Sequence, residues 1–428
     1  MRKFLNQRCF KMQLATDIER LDINGAAATL QGVAVTTPLM TNLNWSNRLN
    51  CKIYFKREDL QVVRSYKIRG AFNKISSLSS LQKEAGVVCA SAGNHAQGVA
   101  YSCSLMNING VIFMPTTTPN QKLEQVKMFG GKAIEILLQG DTFDDAADAA
   151  LKYCRSRGRT FIHPFNDQKV IEGQGTVGKE IITQAQEPLD YIFLPVGGGG
   201  LAAGVASYVK IHSPKTKIIG VEPEGASSLT EALKFGGPVK LDKVDKFIDG
   251  ASVKEIGGLN FNYCQELLDD VITVPEGAVC TTILELYNKD AIVVEPAGAL
   301  ALTGACYYSI PKNAEVAIVL SGSNNDITRM EEIKERSLLH EELKHYFLVS
   351  FPQRSGALKD FVNDVLGPND DITLFEYQKR HSREKGPVKI GIQLAHKSEL
   401  QSLRQRMNEL GFNHEYINNQ PEHLSYFV

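Results

Sequence analysis

Short apolar runs alternate with stretches of helical period from Ile53 to Phe193: KIYF then a helix around Lys67, GVVCASA then HAQGVAYSCSLM, NGVIFMP then PNQKLEQVKMF, KAIEILL then DTFDDAADAALKYC. No other feature constrains the fold as tightly. A strand followed by a helix, repeated, brings each new strand back parallel to the last, because the crossover has to span the sheet. The rhythm resumes with YIFLPV, a helix from Leu201, KIIGVEP and AEVAIVLS at Ala314–Ser321. It predicts an α/β fold built on parallel sheets.

The C-terminal part reads differently. HYFLVSFP, GALKDFVNDVL, ITLFEYQ, VKIGIQLA, ELQSLRQRMNEL and NHEYINN spell strand, helix, strand, strand, helix, strand. That is the split βαβ order of a ferredoxin-like α+β module. DITRMEEIKERSLLHEELK, between the two regions, is dense in charge and predicts a solvated connecting helix. The boundaries fall at residues 1–335 for the larger region and 340–428 for the module.

Composition narrows the function classes. With 43% hydrophobic and 22% charged residues, 428 residues suffice for two or three packed domains. A net charge of −1 argues against a nucleic-acid partner, which selects a basic excess. The eight cysteines, Cys9, Cys51, Cys89, Cys103, Cys154, Cys264, Cys280 and Cys306, show neither CxxC pairing nor zinc-ligand spacing, so a reducing cytoplasm is expected and a metal is not. The opening MRKFLNQRCFKMQ is basic but lacks the long apolar run of a secretory signal, and residues before Met12 read as a flexible extension. No run is long enough to predict a membrane span.

Three loops carry the polar signals. In LPVGGGGLAAG, Gly197, Gly198, Gly199 and Gly200 follow a strand and open a helix. Their uncovered N–H groups and the helix N-terminus make a cradle for an anion; the plainer reading is a flexible loop or a close helix-to-strand crossing. The run contains a G-x-G-x-x-G-like string, and Glu222 follows at about the 20-residue distance of a ribose-binding acid, so a nicotinamide dinucleotide is one candidate cofactor. Pyridoxal phosphate is the other, since it needs a phosphate cradle, a lysine and groups that steer its ring.

RSYKIRGAF supplies such a lysine. With Ser65 as N-cap, Lys67 falls in the first helical turn, where the positive helix end and partial burial favour the neutral amine that attacks an aldehyde. Tyr66 is placed to wall the site. Most lysines are solvated surface charges, but the dinucleotide reading leaves this one without a role. In CASAGNHAQGVA, Ser91, Ala92 and Gly93 precede Asn94 and His95 at another strand-to-helix turn. Its N–H groups suit a carboxylate, and Asn94 offers an amide to an oxygen anion. The alternatives are a helix cap for the loop and a satisfied structural histidine for His95.

In this order, KREDLQVVRSYKIRGAF, CASAGNHAQGVA, LPVGGGGLAAG, VEPAGALA and VLSGSNND resemble the threonine dehydratases, within the fold-type II, tryptophan-synthase-β-like family of pyridoxal phosphate enzymes. The resemblance covers nearly the whole chain. It implies a two-domain catalytic region, with a smaller subdomain at about residues 57–158 inserted in the larger, and an ACT-like regulatory domain behind it. It implies pyridoxal phosphate as cofactor, with Lys67 carrying the Schiff base, Asn94 bonding the phenolic oxygen, Gly197 to Gly200 holding the phosphate and Ser321 meeting the pyridine nitrogen. A serine there, instead of a carboxylate, leaves the nitrogen largely unprotonated and favours prompt loss of a β-leaving group. Ser91, Ala92, Gly93, Asn94 and His95 would take the substrate carboxylate.

The implied reaction begins when the substrate amine displaces Lys67, which then removes the α-proton. The β-hydroxyl leaves, protonated from the cofactor phosphate, and hydrolysis yields ammonia and 2-oxobutanoate. Serine is the expected poorer substrate, isoleucine biosynthesis the expected context, and a homo-oligomer, dimer or tetramer, the expected assembly. The tail of such enzymes binds isoleucine, and FPQRSGALKDF supplies a turn and helix start for a carboxylate; its alternative is a capping or oligomerisation module.

Several positions depart from the family pattern. Ala92 stands where racemases carry a second catalytic serine. Glu222 matches an acid of the cation-binding relatives, but Ser228 stands where another is expected, so no metal follows. Ser323 makes SGSN of the usual SGGN. Longer relatives carry two regulatory modules where this chain carries one. Glu295, in VEPAGALA, either lies near the ring or favours a helix start at Pro296. A nicotinamide-dependent oxidoreductase and a non-catalytic amino-acid sensor are the rival functions.

Overall fold

The structure, a computed structural model, describes residues 21–378, 384–424, 426 and 427; the opening MRKFLNQRCFKMQ, with Cys9 and Met12, lies outside them. The chain divides into two units, one ending at Asp326 and the other beginning at Ile327.

The strands of the first unit are β1 (Leu39–Thr41), β2 (Lys52–Arg57), β3 (Val87–Ala90), β4 (Gly110–Met114), β5 (Ile134–Leu138), β6 (Thr160–Phe161), β7 (Tyr191–Pro195), β8 (Lys217–Pro223), β9 (Asp270–Val274) and β10 (Glu315–Leu320). The larger sheet has the order β1-β2-β10-β7-β8-β9 and the smaller β5-β4-β3-β6. Every neighbouring pair is parallel except β1 and β2. β3, β4 and β7 are buried along their whole length, which is why they read as unbroken apolar runs.

The chain leaves the larger sheet after β2, builds the smaller one, and returns at β7. β10 then inserts between β2 and β7, pairing Leu320 with Arg57 and Ile318 with Phe193. Three segments far apart in sequence therefore start from the carboxyl ends of adjacent strands: RSYKIRGAF beyond β2, SGSNND after β10 and the tetraglycine after β7. Ligand sites of open α/β sheets collect at such ends.

Helices Lys67–Ser76, Gln168–Gln184 and Gly200–His212 pack in that order through bare backbone. A Cβ at Gly173 would lie 2.5 Å from the Arg69 carbonyl oxygen, and one at Gly204 2.4 Å from that of Ile171, so only glycine permits either crossing. Beneath the first helix, buried Arg69 bonds Glu58 at 2.8 Å and Glu180 at 2.6 Å, while Lys56 shares Glu180. Two cations against two anions, each hydrogen-bonded, make this burial tolerable. The cluster ties the Lys67 helix to the end of β2 and to the Gln168–Gln184 helix.

In the second unit β11 (Lys344–Pro352), β12 (Asp371–Glu376), β13 (Lys385–Gln393) and β14 (His414–Tyr416) form an antiparallel sheet of order β12-β13-β11-β14, the ferredoxin-like arrangement expected. Phe347, Val349, Phe351, Val388, Ile390 and Ile392 face one way and meet Phe361, Leu403 and Met407. The charged segment ahead of it forms the helix Met330–His340 within this unit. It is less solvated than its charge suggests: Ile333 is fully buried, and Tyr346 Oη donates to Glu335 at 2.6 Å.

Candidate active site

Lys67 is the first residue of its helix, as the spacing predicts, but Ser65 is not the cap. Tyr66 already has helical dihedrals, with no side-chain cap, and Ser65 pairs with Gly322 in an isolated antiparallel bridge. The buried Ser65 hydroxyl meets no hydrogen-bond partner among the described residues. Tyr66 N–H donates to the Ser321 carbonyl at 3.2 Å, so the β10 end, not a serine side chain, fixes the helix start.

The Lys67 amine donates to the Pro164 carbonyl at 3.1 Å and lies 5.4 Å from the centre of the Tyr66 ring. Burial pulls its pKa down to about 8, against the opposing pull of Glu295, so near neutral pH it gives up its proton far more readily than a solvated lysine. Glu295 is buried at the head of the Pro296–Tyr307 helix, and that burial pushes it up to about 7. It flanks a helix start with Pro296 at the first position, and it faces Lys67 and Asn94.

Asn94 opens the helix Asn94–Met106 after Gly93. Its amide donates to Glu295 Oε1, and its Oδ1 accepts from Asn324 Nδ2 at 2.7 Å. Asn324 also reaches the Gln97 side chain and the Val63 carbonyl. In the loop before Asn94, Gly93 N–H donates to Ser91 Oγ at 3.3 Å, and a Cβ on Gly93 would meet nothing within 4 Å, so the loop borders open space. His95 points elsewhere. Its Nε2 donates to the Ile162 carbonyl at 2.9 Å, and burial, with Lys67 adding, holds it down to about 3. The ring is a neutral structural group; His95 can serve a carboxylate only through its backbone N–H.

Ser321 is buried at the end of β10, its hydroxyl donating to the Ala297 carbonyl at 3.1 Å. Gly197 to Gly200 lead into the helix Gly200–His212, which begins without a side-chain cap. Gly199 has φ +84, and a Cβ on Gly198 would fall 2.3 Å from the Phe165 ring. The cradle is thus a bare glycine backbone at an uncapped helix N-terminus, with Lys67 anchored on Pro164, the residue next to Phe165. An aldehyde that also carries a phosphate fits this donor set.

The family model for pyridoxal-phosphate-dependent enzymes matches residues 31–322, and that for the C-terminal regulatory domain of threonine dehydratase matches residues 335–427. The chain belongs to the pyridoxal-phosphate-dependent enzymes. Within that family it is 54% identical over 398 residues, 93% of this chain and 96% of the relative, to the biosynthetic L-threonine dehydratase of Halalkalibacterium halodurans. It is 53% identical over 394 residues, 92% and 93% of the two chains, to that of Bacillus subtilis. Among solved structures, the processed form of threonine deaminase isoform 2 from Solanum lycopersicum superposes with a TM-score of 0.70 at 41% identity, covering 76% of this chain and 93% of that one. Maize serine racemase gives 0.68 at 31%, covering 74% and 97%.

The family's cofactor removes the dinucleotide reading, and the geometry shows what Glu222 does instead. Both its oxygens are taken, by Leu229 N–H at 2.7 Å and by Thr230 N–H and hydroxyl at 2.8 and 2.7 Å, so it caps the Ser228–Phe235 helix from outside. Among the described residues no group of three or more His, Cys, Asp or Glu could hold a metal. Ala92 packs on the core of the smaller sheet. Ser323 donates its hydroxyl to the Asp59 carbonyl at 3.1 Å, adding a bond between the β10 end and the segment before Lys67.

Four residues around the site escape sequence reasoning. Pro164 and Phe165 contact Lys67 and the glycines from a stretch without periodicity. Asn260 donates to the carbonyls of Gly198 and Phe165, and Asn324 clamps Asn94. An HPFN turn before a helix was the available signal for the first two.

Proposed function

We propose that the chain is a threonine ammonia-lyase that converts L-threonine to 2-oxobutanoate and ammonia, with L-serine as a slower substrate. One observation carries the assignment of the site: the Lys67 amine, the Asn94–Glu295 pair, the Ser321 backbone and the uncapped glycine loop converge from strand ends scattered over the first unit. The two biosynthetic threonine dehydratases, each more than half identical along nearly the whole chain, support the choice of substrate.

Gly197 to Gly200 would hold the cofactor phosphate, Lys67 its aldehyde carbon, Asn94 its phenolic oxygen and Ser321 its ring nitrogen, once its hydroxyl proton turns from the Ala297 carbonyl. Bound pyridoxal phosphate supplies an electron sink for the pair left on the substrate α-carbon. The chain's own work is positional and protic. The half-buried Lys67 amine, whose burial eases loss of its own proton, takes the α-proton at Nζ. The Ser91–His95 loop, at an uncapped helix start, orients the substrate carboxylate through backbone N–H groups other than that of Ser91, which donates to the Phe113 carbonyl at 3.1 Å, and the open space at Gly93 admits it. The β-hydroxyl leaves as water, and a water is consumed as the imine product hydrolyses, so the net change is threonine to 2-oxobutanoate plus ammonia.

The reading includes a cytoplasmic homo-oligomer, dimer or tetramer, and control by isoleucine through the second unit. Among the described residues no helix is long and apolar enough to cross a membrane. The test is direct: with pyridoxal phosphate and L-threonine, the purified chain forms 2-oxobutanoate, more slowly forms pyruvate from L-serine, and responds to isoleucine with a shift of roughly 5- to 150-fold in apparent threonine affinity. No 2-oxobutanoate from threonine would overturn the assignment; no response to isoleucine would reduce the second unit to a structural cap.

A further inference from the structure

The residues between β6 and the Gln168–Gln184 helix form a turn that touches both halves of the candidate cofactor site. Its Pro164 carbonyl accepts from Lys67 Nζ at 3.1 Å. Its Phe165 ring covers Gly198, and the Phe165 carbonyl shares the Asn260 amide with the Gly198 carbonyl. Asn166 Oδ1 accepts from Leu259 N–H at 3.0 Å and anchors the far side. The distance between the lysine amine and the glycine loop is therefore set by the shape of this one turn.

What shapes the turn is His163. Its Nδ1 accepts from the backbone N–H of Phe165 at 3.2 Å and of Asn166 at 2.8 Å. An acceptor two bonds from Cβ, taking the N–H groups two and three residues on, is what the Oδ1 of an asparagine does in an Asx-turn. Two donors on one ring nitrogen require that nitrogen to be unprotonated. Burial, with Lys67 adding to it and Asp167 opposing, holds the imidazole down to about 4, so it is neutral at working pH. The ring also meets Phe165 edge-on at 4.7 Å and Phe161 at 6.2 Å, so it has an aromatic role to be weighed against the acceptor role.

We propose that His163 is a positioning residue: through Nδ1 it fixes the turn that spaces Lys67 from the Gly197–Gly200 loop, and so seats a cofactor held at both. The inference rests on the assignment of those residues to pyridoxal phosphate. His163→Asn keeps an acceptor at the same distance from Cβ and loses the ring, whereas His163→Phe keeps a ring and loses the acceptor. The readouts are the dissociation constant of pyridoxal phosphate for the cofactor-free chain, the kcat and KM for threonine, and thermal melting.

His163→Asn is expected to stay within about three-fold of wild type in cofactor affinity and kcat. His163→Phe is expected to bind cofactor at least about ten-fold more weakly and to lower kcat more than it raises KM, while still melting cooperatively. A phenylalanine variant equal to wild type, or an asparagine variant impaired ten-fold, overturns the proposal. Should the phenylalanine variant fail to fold, the asparagine variant decides by the same criterion. Wild-type chain that binds no pyridoxal phosphate overturns the functional reading as well; normal wild-type binding with the wrong order of variants overturns only the role of His163.

Discussion

Asn94 donates its side-chain amide to the carboxyl group of Glu295, 201 residues further along the chain. The bond joins the loop after β3 to the start of the Pro296–Tyr307 helix, and it puts a buried acid beside the lysine. Burial, aided by Asp249, pushes Glu295 up to about 7, although Asn94 and Lys67 pull the other way. A carboxyl whose folded value exceeds its unfolded one of about 4.3 adds no penalty in acid, costs stability as pH rises from there to about 7, and costs no more beyond. Glu295→Gln, whose amide oxygen can still accept from Asn94, should therefore melt close to wild type at pH 4 and above it at pH 8, a difference on the order of 1–3 kcal/mol. Equal offsets at both pH values would contradict the buried, protonating acid.

The Arg69 cluster gives a prediction of opposite sign. Arg69 and Lys56 hold Glu58 below the usual carboxylate range despite its burial. Its contribution is complete above the unfolded value of about 4.3 and is lost as pH falls below it. Glu58→Ala should cost about 3–5 kcal/mol at pH 7, because Arg69 is left buried with one partner fewer, and less at pH 3. Urea unfolding at the two pH values measures this; a loss below about 1 kcal/mol at pH 7 would mean that the cluster relaxes onto water.

Burial decided what was legible in the sequence. β3, β4 and β7 are covered on both faces and so declare themselves as unbroken apolar runs. β1, with three residues, and β6, with two, are too short to show a period. β9 lies at an edge, mostly half-buried, and opens on the second of two adjacent aspartates. Lys67 and the glycines stand out because each is an odd residue for its place. Phe165, Asn260 and Asn324 are ordinary residues whose work is to bond backbone remote in sequence, and no local pattern encodes that. Ser65 misled because its spacing to Lys67 suits an N-cap, whereas the Gly322 bridge claims its backbone and Tyr66 is already helical.

Gly198 tests the cradle itself. A methyl group there would sit 2.3 Å from the Phe165 ring, and the ring cannot swing away without disturbing the turn that holds Lys67 through Pro164. Gly198→Ala should weaken pyridoxal phosphate binding by about ten-fold or more, in line with an overpacking cost of roughly 1–3 kcal/mol. Equilibrium titration of the cofactor-free variant gives the number. Affinity equal to wild type would place the phosphate elsewhere.

Lys67 carries the central claim. A positioned general base is worth about 10²–10⁴-fold, and Lys67 is here asked to hold the cofactor as well, so Lys67→Ala should lose at least that much threonine deamination. The glycine loop would still bind pyridoxal phosphate, only reversibly. Steady-state formation of 2-oxobutanoate by Lys67→Ala and wild type, both saturated with pyridoxal phosphate, is the measurement. A fall of about 10²-fold or more with cofactor still bound is the predicted result; a rate within a few-fold of wild type would contradict the account.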